Sequence, residues 1–201
     1  SLNVDAATQV AHAISTHAVE TEFDYFTALD DEQQRTDEEG AGAAMIGTVE
    51  FNSATLYRYA SLGLDQLIEN LGTADESVSD GVVRFVEAFV QSMPTGKQNS
   101  FAARTQPDMV MVLVRDDQPV NLVSAFEEPV WSRSGFAKAS AEKLVAAHRD
   151  STDRWGHAPI LTAVSAAGDL TGVLGEDMPN LGFSDLLGSV RSAVTDQLSA
   201  K

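Results

Sequence analysis

IGTVEFNSATLYRYASL, Ile46 to Leu62, alternates β-branched and aromatic residues with polar ones. Val49 and Phe51 share one parity, and Thr55, Tyr57 and Tyr59 form a second alternating set after an irregularity at Asn52-Ser53. A period of two with a step in it predicts extended chain carrying a bulge. The period then changes. Leu64 to Leu71 predicts a short helix stopped by Gly72. Thr73 to Glu76 (TADE) is a capping-box pattern ahead of Val78, Val82, Phe85, Val86, Phe89, Val90 and Met93, which recur at helical spacing. Strand and helix signals mixed in this way, with short antiparallel-looking connections, make the class α+β.

Working outward, MVMVLV (Met109 to Val114) is a continuous apolar run between Pro107 and the turn Asp116 to Pro119, and it reads as a buried central strand. Ser134 to His148 predicts a helix, Ile160 to Ser165 a short strand, and Phe183 to Leu198 an amphipathic helix capped near Ser184. A Gly-rich tract from Gly168 to Gly182 joins the last two. Towards the start, Asn3 or Asp5 is positioned to cap a helix through about His17, with Val10, Ala13, Ile14 and His17 on one stripe. Residues 18–29 look extended. Asp30 to Ala44 is acidic and then Gly-rich, the composition of a surface loop. No internal repeat is present.

The 201 residues are 43% hydrophobic and 21% charged, enough to bury a proper core. No apolar run approaches the roughly 20 residues that span a bilayer, so no membrane partner is expected. There are no cysteines, which excludes disulfides, thiol catalysis and Cys-based zinc sites, and fits the cytoplasm. The net charge of −17 argues, on composition alone, against a nucleic-acid binder. That charge is unevenly placed: Arg35 is the only Lys or Arg in the first 50 residues. The chain opens SLNVDAATQV, without an initiator methionine, and reads as the middle of a longer protein.

Several groups invite chemistry. Pro94 to Thr105, PTGKQNSFAART, is a cationic and amide-rich loop in an acidic chain. It is no Walker loop, because Gln91 stands where the first glycine belongs and Gln98 where the magnesium hydroxyl belongs. His12 and His17 are five apart, not the four that places two zinc ligands on one helix face; no metal and no cofactor is expected. Asp30-Asp31 and Asp116-Asp117 are either cation or acid–base pairs or solvated turns. Tyr57 and Tyr59 project from one face of a strand, with Arg58 on the other; they either stack bases or pack on a helix. Phe23, Tyr25 and Phe26 crowd one strand, and at least one ring is hard to bury there. No nucleophile elbow, Ser-His-Asp order or dinucleotide fingerprint appears, and nothing demands an enzyme.

Five strings in fixed order are more specific: QVAHAISTH (Gln9 to His17), FDYFTALDD (Phe23 to Asp31), GTVEFNSATLYRYASLGLDQLIENLG (Gly47 to Gly72), PTGKQNSFAARTQPDMVMV (Pro94 to Val112) and DQPVNLVSAFEEPV (Asp117 to Val130). Together they closely resemble the CasC family, the repeated backbone subunit of the type I-E CRISPR surveillance complex, Cascade. The resemblance is close over residues 3–150 and looser beyond.

The resemblance implies a hand-like fold with an RRM-like (ferredoxin-like) palm, helical fingers and an inserted thumb. Carried onto this chain, it implies a helix at 1–18 following the fingers, a thumb at 19–48, the palm core at 49–130 and a helix-strand-helix at 131–201 completing the palm. Without the family's N-terminal part the palm lacks its first strand and exposes a sheet edge. The implied function is a non-catalytic scaffold. Adjacent copies and other Cascade subunits assemble on one crRNA, each thumb kinks it, and target DNA pairs with the crRNA between kinks. Tyr25, Phe26 and Thr27 fall where the thumb's RNA-facing residues lie. Lys97, Gln98 and Asn99 become either phosphate-positioning contacts or a loop that fixes its own fold. Two alternatives come from other classes: a protein-only assembly module whose acidic surface docks basic partners, and a metal-dependent hydrolase using Asp30 and Asp31.

Overall fold

The structure, a computed structural model, describes residues 4–28 and 45–200. Asn3, Asp30-Asp31 and the acidic segment Asp30 to Ala44 lie outside those residues. The class is α+β, and the described strands pair with one another antiparallel throughout. Strands β1 (Thr8–Val10), β2 (Ile14–Ser15), β3 (Glu22–Ala28), β4 (Met45–Phe51), β5 (Leu56–Tyr57) and β6 (Ala60–Leu62) precede helices α1 (Leu64–Leu71), α2 (Glu76–Gln91) and α3 (Gln98–Phe101). Strand β7 (Met109–Val114), helix α4 (Ala137–Trp155), strand β8 (Leu161–Ala166) and helices α5 (Thr171–Leu174) and α6 (Phe183–Ser199) complete the order. The strands form four two-stranded pairs, β1-β6, β2-β5, β3-β4 and β7-β8.

The helix expected from Asn3 or Asp5 to about His17 does not form over the described residues 4–17. Thr8, Val10, Ile14 and Thr16 share one parity, and β1 and β2 lie against β6 and β5 with Thr8 opposite Leu62 and Ile14 opposite Tyr57. A period-two signal in β-branched residues, backed by a ready antiparallel partner, overrides the weak helical stripe. The long 46–62 strand is broken where the step at Asn52-Ser53 was read, and again at Arg58-Tyr59.

The helices follow their sequence signals closely. α1 ends on Gly72 at φ 68°, the left-handed geometry that a glycine C-cap supplies. α2 starts two residues later than a Thr73 capping box requires: Asp75 is the N-cap, and its carboxylate accepts from the Ser77 N–H at 2.9 Å. Asp is a strong N-cap in its own right and displaces threonine from the role. α4 begins at Ala137 and runs on to Trp155, well past His148. α6 is preceded by Gly182 and has no side-chain cap, so the expected Ser184 cap is absent.

β7 separates two cores. On one side Val110, Val112 and Leu161 pack with Val82, Leu186, Val190 and Val194 from α2 and α6. On the other, Met109 and Met111 pack with Val145, Leu174 and Met178. Truncating a fully buried leucine such as Leu186 costs roughly 2–5 kcal/mol in such a setting. β7 is therefore covered on both faces as read, yet all six residues are only half-buried. The reason is lateral. The Ala167 N–H donates to the Asp108 carbonyl, in phase with the pairs Val110–Ser165 and Val112–Ala163. That phase turns the backbone groups of Met109, Met111 and Leu113 away from β8, and they meet no partner among the described residues. The outer edge of β8 is closed instead. Asn180 donates to the Ala166 carbonyl and accepts from its N–H, and Leu181 N–H donates to Val164.

Candidate nucleic-acid interface

β3 and β4 pair over seven residues each, from Glu22 opposite Phe51 to Ala28 opposite Met45. Alternation along the ribbon sorts the aromatics. Phe23 and Tyr25 project from one face, beside Glu50 and Thr48; Asp24 and Phe26 project from the other, beside Val49 and Gly47. Tyr25 is 72% exposed, Phe23 56% and Phe26 46%, so the ribbon carries bare rings on both sides. Thr27 lies opposite Ile46 in the backbone register. Tyr25 and Phe26 thus belong to one strand but not to one surface.

The root of the ribbon is fastened to the body. Thr16 N–H donates to the Thr55 carbonyl at 3.0 Å, and Val130 N–H donates to the Thr16 carbonyl at 2.8 Å. The Thr16 hydroxyl is buried 2.8 Å from that of Ser140. His17 accepts the Thr55 N–H at Nε2, donates from Nδ1 to the Ala18 carbonyl, and stacks on Phe136 with ring centres 3.7 Å apart. This histidine is a structural latch between the strands that enter and leave the ribbon.

The loop of Pro94 to Thr105 holds one helical turn, α3, that the sequence did not announce. It is bracketed by Lys97 at φ 56° and Ala102 at φ 47°, the only non-glycine residues with positive φ among the described residues. Two left-handed non-glycine residues around one turn store strain of the kind found at functional loops. Lys97, Gln98 and Asn99 are all exposed. Gln98 accepts from Arg104 Nη2 at 3.1 Å, while the side chains of Lys97 and Asn99 engage nothing among the described residues.

Phe51, at the end of β4, meets Phe101, at the end of α3, with ring centres 5.1 Å apart and planes tilted by 56°. The ribbon and the cationic turn are therefore adjoining parts of one surface. Phe51, Phe101 and Arg104 were not among the site residues expected from the sequence. The spacing of Phe101 three residues after Gln98 was the available signal, since it sets one side chain over the other on a helical turn.

Other candidates resolve into structure. Tyr57 is half-buried; its hydroxyl donates to Asn121 Oδ1 at 3.0 Å and accepts the Leu122 N–H at 3.2 Å, and its ring meets Phe126. Burial pushes the phenol up to about 12. Tyr57 packs, as one of its two readings required. Arg58 lies over Phe89 and donates to the Ser92 carbonyl. Asp117 forms a 2.7 Å ion pair with Arg115, which holds its carboxyl well below the usual range. His148 is buried near Thr162. Among the described residues no three His, Asp or Glu side chains gather to hold a metal, and no helix is long and apolar enough to cross a membrane.

A profile of the CT1975-like protein family matches residues 1–180. The fold is similar to a chain of a "CRISPR RNA-guided surveillance complex, pre-nicking", with a TM-score of 0.82 and 32% identity over 96% of this chain and 52% of that one. A chain of a second "CRISPR RNA-guided surveillance complex" gives a TM-score of 0.80 and 31% identity over 94% of this chain and 71% of that one. The chain thus spans about half the length of the first and 71% of the second. No functionally curated protein matches.

Proposed function

Because this chain belongs to the CT1975-like protein family, we propose that it serves as a backbone subunit of a type I-E CRISPR surveillance complex, of the CasC kind. In this reading it binds crRNA without reading its sequence, kinks it with the β3-β4 thumb and repeats along it beside other Cascade subunits. Target DNA then pairs with the crRNA between kinks. The subunit cuts nothing itself and works in the cytoplasm.

The observation that carries this reading is the junction of an aromatic ribbon with a cationic, amide-bearing turn through Phe51 and Phe101. Rings stack on any base, and a lysine with free amides holds phosphates, so neither part needs a particular sequence. The Asp24 and Glu22 carboxylates beside Phe26 repel phosphate, which assigns bases to the ribbon and backbone to the turn. The bare edge of β7 supports an RRM-like palm, since a strand covered on both faces is suited to a second lateral neighbour. A head-to-tail contact between identical subunits builds an open filament whose copy number the RNA sets.

The test is the uninterrupted parent protein, purified from its own host at moderate salt. A discrete RNA of tens of nucleotides should accompany it and be lost in the Phe26→Ala, Lys97→Ala double variant. Bound RNA should fall off steeply with added salt. A preparation free of RNA but still carrying protein partners would leave only an acidic protein-docking module.

A further inference from the structure

We infer that Gly47 is a positioning residue that holds the Phe26 ring across the ribbon, and that the Phe26 face, not the Tyr25 face, receives the base. This inference rests on the RNA-binding reading above. Gly47 lies directly opposite Phe26 in the β3-β4 register. A Cβ built on Gly47 would fall 2.7 Å from Phe26 Cε1, 3.1 Å from Cε2, and inside van der Waals contact with Cζ. The far end of the ring therefore occupies the space that any other residue's Cβ would fill. Only a glycine lets the ring lean over the neighbouring strand in this way.

The two faces of the ribbon differ in what this does. Tyr25 sits opposite Thr48, which leaves no such gap beside it, and it stands out at 72% exposure. Phe26 is drawn down to 46%, a ring braced against backbone with the remainder of its surface turned outward. A braced ring loses little side-chain freedom when a base arrives, so it binds at lower entropic cost than a free one. Phe51 stands on the same face as Phe26 and leads to Phe101 and the Lys97 turn. A nucleotide stacked on Phe26 thus has its neighbours directed towards the groups suited to phosphate.

The experiment uses the uninterrupted parent protein and a fluorescent single-stranded RNA of mixed sequence carrying 2-aminopurine, whose emission rises on unstacking. Four proteins are compared: wild type, Phe26→Ala, Gly47→Ala and the double variant. Phe26→Ala should weaken binding about tenfold, as loss of one ring–base stack entails, and diminish the change in 2-aminopurine emission that accompanies binding. Gly47→Ala should do the same, and the double variant should be no worse than either single one. Wild-type binding by Gly47→Ala, with Phe26→Ala impaired, would overturn the positioning role and leave the RNA reading intact. A Gly47→Ala effect that persists undiminished on top of Phe26→Ala would show that glycine serves the ribbon's folding instead, and would overturn it too. Normal binding by Phe26→Ala would sink the ribbon as the RNA site and the positioning role with it. Loss on Tyr25→Ala with Phe26→Ala unaffected would assign the opposite face.

Discussion

Phe51 and Phe101, fifty positions apart in sequence, stack at a tilt with ring centres 5.1 Å apart, and this contact fastens the ribbon's base to the Lys97 turn. Paired aromatic rings of this geometry couple by about 0.5–1.5 kcal/mol beyond their burial. Phe51→Ala and Phe101→Ala should each lower the stability of the turn, and the double variant should fall short of their sum by about that amount. Urea denaturation of the four proteins in the cycle measures it. Strict additivity would mean that the rings touch without supporting each other.

Two glycines at helix positions should respond to alanine with opposite signs. Gly72 closes α1 at φ 68°, where a Cβ is strained, so Gly72→Ala should cost about 1–2 kcal/mol. Gly81 lies inside α2, and a Cβ there meets only Leu67 Cδ2, at 3.9 Å. Gly81→Ala should therefore stabilise by about 0.4–1 kcal/mol through the unfolded chain. Thermal melts of the pair check both signs at once.

Acidification should weaken the fold in two separate windows. Burial, reinforced by the charges of Arg115 and Arg149, holds the His148 pKa below its ordinary 6.5. The unfolded chain then takes up a proton that the folded one refuses, so stability is complete above that value and declines as pH falls through it. Asp117 is depressed by its hydrogen bond to Arg115, and its contribution is lost only as pH falls below the ordinary 3.8. Urea midpoints should drop between about pH 7.5 and about pH 5.5, and His148→Gln should flatten that first step.

The identity of the α2 cap is also open to measurement. The Asp75 carboxylate accepts from both the backbone N–H and the hydroxyl of Ser77, whereas the Thr73 hydroxyl accepts only from Asp75 N–H at 3.3 Å. Asp75→Ala should lower the melting temperature clearly more than Thr73→Ala. The reverse order would restore the capping box read from the sequence.

Much of this was legible in advance because it depends on near neighbours. The apolar spacing of α2 and α6, the Gly72 stop and the limits of β7 are local facts, and each stands within a residue or two of its reading. β1 and β2 escaped notice because their partners lie some fifty residues on, and a pairing at that range overrules a four-residue stripe. The ribbon's aromatics were found, but not their division between faces, which needs the register of Phe26 on Gly47 and Tyr25 on Thr48. Nor does any spacing reveal that Phe51 reaches Phe101.

The two borders of the β7-β8 pair have unequal fates. Asn180 acts as a stopper: a side-chain amide mimics a passing strand and uses up the Ala166 donor and acceptor. Along β7 the donors and acceptors of Met109, Met111 and Leu113 stand in a row of apolar residues with nothing to claim them among the described residues. Sheet growth is thus unidirectional. Any extended chain that arrives, including another copy's own MVMVLV, finds a template on one side and a closed door on the other. Concentration-dependent precipitation of these 201 residues should accordingly yield to Leu113→Lys, at an edge position that belongs to neither core, whose charge would guard the unguarded border.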